Sequence, residues 1–132
     1  MRLINTGIFL GYLLLISSMS SAQDVSSRYI DLKPAFVVNY GDGGKLRYLK
    51  TDIALRVEGD SEGPVDIRHH MPYIRHSLVM RLSRASEEEL SSMEGKELLR
   101  QEALESVRDV LMKEEGVQYV EDLLFNSFIV QR

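Results

Sequence analysis

Residues 29–58, YIDLKPAFVVNYGDGGKLRYLKTDIALRVE, decide the fold. Tyr29 to Tyr40 is dense in β-branched and aromatic residues, the composition of a strand. Gly41-Asp42-Gly43-Gly44 follows as a turn, because glycine enters positive φ without steric cost. Beyond the turn, Leu49, Thr51, Ile53, Leu55 and Val57 alternate with Lys50, Asp52, Arg56 and Glu58, which predicts a second strand with one buried and one wet face. The pair reads as a hairpin. Pro34 cannot donate to a ladder, so its strand either lies at a sheet edge or breaks into two extended pieces, Tyr29 to Leu32 and Phe36 to Asn39.

Working toward the C-terminus, Gly59-Asp60-Ser61-Glu62-Gly63-Pro64 ends the alternation, and Ile67, Met71, Ile74, Leu78 and Leu82 then recur at helical steps. Pro72 falls inside that stripe and predicts a kink or a fresh start near His70 to Pro72. Ser86-Glu87-Glu88-Glu89 has the order of a capping box and predicts a short helix. The longest helix is expected over Glu94 to Glu114, with Leu98, Leu99, Ala103, Val107, Val110 and Leu111 on helical spacing and Gly116 stopping it. Gln118 to Gln131 returns to extended character and predicts a C-terminal strand. The fold class is α+β: a small antiparallel or mixed sheet, the hairpin plus the last strand, with about three helices packed on it.

Working toward the N-terminus, Arg2, the apolar run Gly7 to Ile16 and the small residues Ser20-Ser21-Ala22 have the order of a signal peptide, with an uncleaved membrane anchor as the alternative. Cleavage after Ala22 leaves residues 23–132 as one exported, periplasmic domain and moves the net charge from −4 to −5, since Arg2 is the lone charge removed. The chain of 132 residues is long enough for one domain. Sixteen basic against twenty acidic groups create no positive field for a phosphate backbone, so nucleic acid is not expected as a partner. The absence of cysteine excludes disulfides, thiolate metal sites and thiol nucleophiles.

No constellation of catalytic, cofactor or metal-binding residues emerges. Asp66 and His70 stand one helical turn apart, and His69 and His76 two turns apart, but they lack a closed ligand set and read as surface or interface groups. The serines lie outside G-x-S-x-G and S-x-x-K contexts. Gly41 to Gly44 lacks the following Gly-Lys-Ser/Thr of a phosphate loop. Glu87 to Glu89 and Glu114-Glu115 read as solvated helix ends. Arg68, Arg75, Arg81 and Arg84 form a basic flank that either is the wet face of an amphipathic helix or meets an anionic partner or lipid surface. Of the aromatic residues around the hairpin, Phe36 is assigned to the core, while Tyr29, Tyr40 and Tyr48 are open between core and self-association.

Five segments in register resemble one family. They are residues 29–39 (YIDLKPAFVVN), 47–50 (RYLK) with 53–55 (IAL), 71–75 (MPYIR), 90–98 (LSSMEGKEL) and 120–131 (VEDLLFNSFIVQ). Together they resemble the periplasmic domain of the flagellar basal body-associated FliL family, whose helix start reads L-S-x-x-G-K-E-x-L. The resemblance implies a stomatin (SPFH)-like domain and a non-enzymatic motor accessory with no cofactor, which assembles into a homo-oligomeric ring around the MotA/MotB-type stator at the inner membrane and supports swimming, swarming and chemotaxis. Members carry a full transmembrane helix, whereas here a compact signal-like segment reaches Tyr29 within a few residues. Arg68, Arg75, Tyr29 and Tyr40 are the candidate partner-interface residues, drawn from the arginine flank and the hairpin aromatics. A periplasmic scaffold serving a non-flagellar partner is the alternative role.

Overall fold

The computed structural model describes residues 27–41 and 44–132; the signal-like segment Met1 to Ala22 and the turn residues Asp42 and Gly43 lie outside them. The elements run β1 (Arg28–Asn39), β2 (Tyr48–Val57), α1 (Gly63–His69), α2 (Met71–Ser83), α3 (Glu87–Ser91), α4 (Met93–Glu115) and β3 (Val120–Gln131). The three strands form one antiparallel sheet in the order β1-β2-β3, so the C-terminal strand pairs with the second arm of the hairpin. The α+β layout and the closing strand agree with the sequence reading.

The alternation in β2 has the physical meaning expected of it. Leu49, Thr51, Ile53, Leu55 and Val57 are all buried under the helices, facing Leu32, Phe36 and Val38 of β1 and Val120, Leu123, Phe125 and Phe128 of β3 on the same side. Thr51 belongs to this apolar row because its hydroxyl donates to the Ser127 carbonyl at 2.6 Å, which satisfies the buried oxygen.

Pro34 produces an edge and an irregularity together. β1 is an edge strand, and its register slips between Leu32, opposite Ile53, and Phe36, opposite Thr51. Lys33, Pro34 and Ala35 thereby leave the ladder without ending the strand.

Among the described residues four helices appear where about three were expected, because the restart near Pro72 is complete. His70 closes α1 and opens α2, and Pro72 lies in the first turn of α2, where its missing N–H leaves no intrahelical bond unmade. The capping box of α3 forms as read: the Ser86 hydroxyl accepts from the Glu89 N–H at 3.2 Å, and the Glu89 carboxylate accepts from the Ser86 N–H at 2.8 Å. Ser92 caps α4 by accepting from the Gly95 N–H at 2.9 Å, and Gly116 ends it at φ 72°. Gly95 is required for a second reason. A Cβ there would lie 2.4 Å from the Glu89 carbonyl oxygen, so the α3–α4 corner closes only around a bare Cα.

The core is one cluster. Ile67, Ile74, Leu78, Leu82 and Leu90 meet Leu99, Ala103, Val107 and Leu111 of α4 and the inner face of the sheet. Leu98 departs from the expected stripe and stands 50% exposed, while Leu104 turns inward. Burial selects one of two adjacent leucines because residues 98 and 99 lie 100° apart on the helix.

Candidate functional site

The four expected interface residues occupy unlike environments. Tyr29 is 59% exposed and Arg68 is exposed, so both offer surface to a partner. Tyr40 is 3% exposed and contributes its ring to the core, with a hydroxyl that has no hydrogen-bond partner among the described residues. Arg75 is half-buried, and its guanidinium lies 4.1 Å from the Phe36 ring centroid, a cation–π contact that lids the core between α2 and β1. Phe36 is buried as assigned, and Tyr48 is half-buried.

The arginine flank divides in the same way. Arg81 is bound by Glu89 at 2.8 Å and by Glu102. Burial works against its charge, but the hydrogen bonds to Glu89 and Glu102 outweigh it and hold its pKa above the usual arginine value. Burial likewise opposes the charge on Glu89, and the Ser86 N–H together with Arg81 still draws its pKa below the usual carboxylate range. That cluster joins α2, α3 and α4. Arg68 and Arg84 have no ion pair among the described residues and remain at the surface.

The histidine group is engaged internally. His70 is buried, with Nε2 2.5 Å from a Glu115 carboxylate oxygen at the end of α4 and its ring edge-to-face with His69. The Asp66 carboxylate facing the Tyr119 hydroxyl lifts that phenol to about 12. The His70–Glu115 bond ties the α1–α2 junction to the end of α4. Among the described residues, no group of three or more His, Asp or Glu side chains converges as a metal site.

Each sheet edge is interrupted over part of its length. β1 carries the Lys33-Pro34 irregularity, a charge and a missing donor in mid-strand. On β3, the carbonyls of Val120 and Glu121 accept from Arg108 at 2.9 and 3.1 Å, and that of Leu123 accepts from Arg100 at 3.2 Å. Arg100 also pairs with Asp122 and with Glu97, whose carboxyl the Arg100 hydrogen bond holds down at about 2. Strand addition is thereby hindered in mid-β1 and at the start of β3.

The helical layer has a polarity that the search for catalytic motifs missed. Ile67 to Ser86 contains four arginines, three histidines and no carboxylate, whereas Glu87 to Glu115 contains ten carboxylates and four cations. α2 also carries apolar residues on its outer side, Tyr73, Val79 and Met80, beside its buried Ile74, Leu78 and Leu82. The signal was present in the sequence as a helix whose apolar residues do not confine themselves to one face.

A family model described as flagellar basal body-associated protein FliL matches residues 29–131, all but the ends of the described domain. The chain belongs to the FliL family. A curated relative, the flagellar protein FliL of Aquifex aeolicus (strain VF5), is 29% identical over 100 residues, which cover 76% of this chain and 59% of that protein. This FliL-family chain therefore matches little more than half the length of that relative. Within the family segment 90–98, the structure gives two residues their purpose: Ser92 caps α4, and Gly95 admits the α3–α4 corner. No described helix is long and apolar enough to cross a membrane.

Proposed function

We propose that this chain is a non-enzymatic accessory of the flagellar motor. It is exported to the periplasmic side of the inner membrane, associates with the MotA/MotB-type stator, assembles with copies of itself into a ring and supports swimming, swarming and chemotaxis. The observation that carries this reading is the family match across residues 29–131, which takes in every element of the fold. Two features support it. His70, Glu89 and Arg81, polar groups of the kind that carry chemistry, are engaged in bonds that join one element to another. A domain whose sheet edges are interrupted and whose exposed helical layer is divided in charge suits face-to-face assembly. In a ring, each subunit must present surfaces whose contact closes by rotation.

The test is an in-frame deletion scored for swimming in soft agar, with co-purification of stator proteins by the tagged full-length chain and fractionation of the chain itself. Impaired swimming with stator recovered on the chain at the inner membrane is expected. Normal swimming with no stator recovered would overturn the motor role and leave the non-flagellar scaffold.

A further inference from the structure

We propose that the second half of β3, Leu124 to Gln131, takes an added strand: an extended segment of a partner protein, apolar at alternate positions and acidic where it passes Lys96. This rests on the reading that the chain serves a protein partner, and it names the surface. β3 is an edge strand, and its two halves are unlike. From Val120 to Leu123 it carries Glu121 and Asp122, and arginines from α4 occupy three of its carbonyls. From Leu124 to Gln131 it reads LFNSFIVQ, with neither a charge nor a proline. In that run the described side chains bond the backbone only at the Ser127 carbonyl, taken by Thr51 from the β2 side. A bulge at Asn126 bends the strand, and Ser127 to Gln131 then continue in regular register with β2. Folds blunt a long apolar edge with charge or proline unless another chain covers it, and β3 is blunted in this way over its first half alone.

The edge has a groove beside it. α4 runs along β3 in the opposite direction, since Arg108 meets Val120, Arg100 meets Leu123 and Lys96 meets Phe128. Beyond Arg100, α4 and the strand enclose an open groove of about 340 Å³ walled by Met93, Lys96, Leu124 and Phe125. Met93 is 88% exposed, and the rings of Phe125 and Phe128, with centroids 5.1 Å apart, are only partly buried. Strand addition uses this combination: edge hydrogen bonds supply affinity, and an adjoining pocket receives alternate side chains.

Charge selects among extended chains. Glu97, the carboxylate in the groove, is held by Arg100, whereas Lys96 lies 5.3 Å from the Phe128 ring centroid with no carboxylate partner among the described residues. Glu94, two residues from Lys96, stands on another side of the helix. The groove therefore holds one uncompensated positive charge beside apolar rings, and an aspartate or glutamate of the added strand neutralises it. β3 of a second copy offers no carboxylate in this run and brings a second Lys96, and β1 of a copy is interrupted at Lys33-Pro34. The occupant is accordingly a partner segment. Seated there, it leaves α1 and α2 free for contacts between copies.

Two synthetic peptides alternating valine and threonine, one with a central aspartate and one with a central lysine, are titrated into the full-length chain. The aspartate peptide is expected to slow amide hydrogen exchange across residues 124–131 and to bind about tenfold more tightly than the lysine peptide. Lys96→Glu, at an exposed position that the fold does not depend on, is expected to reverse that order. The aspartate peptide methylated along its backbone nitrogens is expected not to bind, because an added strand must donate to the edge. Unslowed exchange at residues 124–131, equal binding of the two peptides, an unchanged order in Lys96→Glu or undiminished binding of the methylated peptide would overturn the proposal. Slow exchange of the same amides in the free chain, lost on dilution, would assign the edge to a second copy and overturn it too. Failure to bind alongside a swimming defect in the deletion strain removes this surface and leaves the motor role. Strand addition with normal swimming establishes the surface and removes that role.

Discussion

Gly95→Ala tests the close approach at the α3–α4 corner, where two physical effects have opposite signs. Alanine is a better helix former than glycine by about 1 kcal/mol, and Gly95 lies in the first turn of α4, so propensity alone predicts stabilisation. The new methyl carbon, however, would sit 2.4 Å from the Glu89 carbonyl oxygen, 2.6 Å from its Cα and 2.8 Å from its carbonyl carbon. These are backbone atoms that cannot rotate away. Relief requires the end of α3 to move by about 1 Å, which strains the Ser86–Glu89 capping box and the packing of Leu90, 2% exposed beneath it. Overpacking of this kind costs up to about 3 kcal/mol, so after the propensity gain the variant is expected to lose about 2 kcal/mol. For a domain of this size that corresponds to a fall in Tm of roughly 10 °C. Urea denaturation followed by helical circular dichroism measures the change at constant m. Unchanged or raised stability would refute the close approach and hand the sign to propensity. Gly116→Ala serves as a control with a different origin: nothing lies within 4 Å of its added Cβ, and its expected cost of about 1 kcal/mol comes from the backbone at φ 72°.

Thr51→Val keeps shape but removes the donor to the Ser127 carbonyl, and a loss of about 1–2 kcal/mol in urea denaturation is expected; equal stability would show that this carbonyl finds another donor. Arg75→Ala uncovers Phe36 and is expected to cost about 1 kcal/mol, whereas Arg68→Ala at the open surface stays within about 0.5 kcal/mol, as thermal denaturation of the two variants will show. A motility defect in an Arg75 variant therefore has to be separated from lost packing before it is attributed to a partner. Glu89 and Glu97 have folded pKa values below their unfolded ones, so their stabilisation is complete above about 4.5 and is lost as pH falls, for Glu97 through about 2. Glu89→Gln is accordingly expected to flatten the acid limb of stability against pH without altering its slope above pH 6, and a wild-type acid limb in that variant would exclude the Arg81–Glu89 pair as its source.

The sequence by itself determined the local elements, because their causes are local. The period-two row from Leu49 to Val57, the Ser86–Glu89 box, the fresh start before Pro72 and the stop at Gly116 each depend on residues within a turn or two, and each appears where it was read. The family segments were legible for the same reason, as runs of neighbouring residues. Side-chain environment was not, because it depends on what packs alongside. Tyr29 and Tyr40 have the same chemistry at the two ends of one extended segment, yet one ring faces solvent and the other the core. Arg68 and Arg75 are one helical face in sequence, but only the second meets an aromatic ring from β1. The role of Gly95 waited on α3 folding back against the start of α4, and the obstruction of β3 waited on Arg100 and Arg108 reaching across from α4. Burial, ion pairing and the juxtaposition of a basic α2 with an acidic α4 are properties of surfaces brought together from distant parts of the chain, and only the tertiary structure decided them.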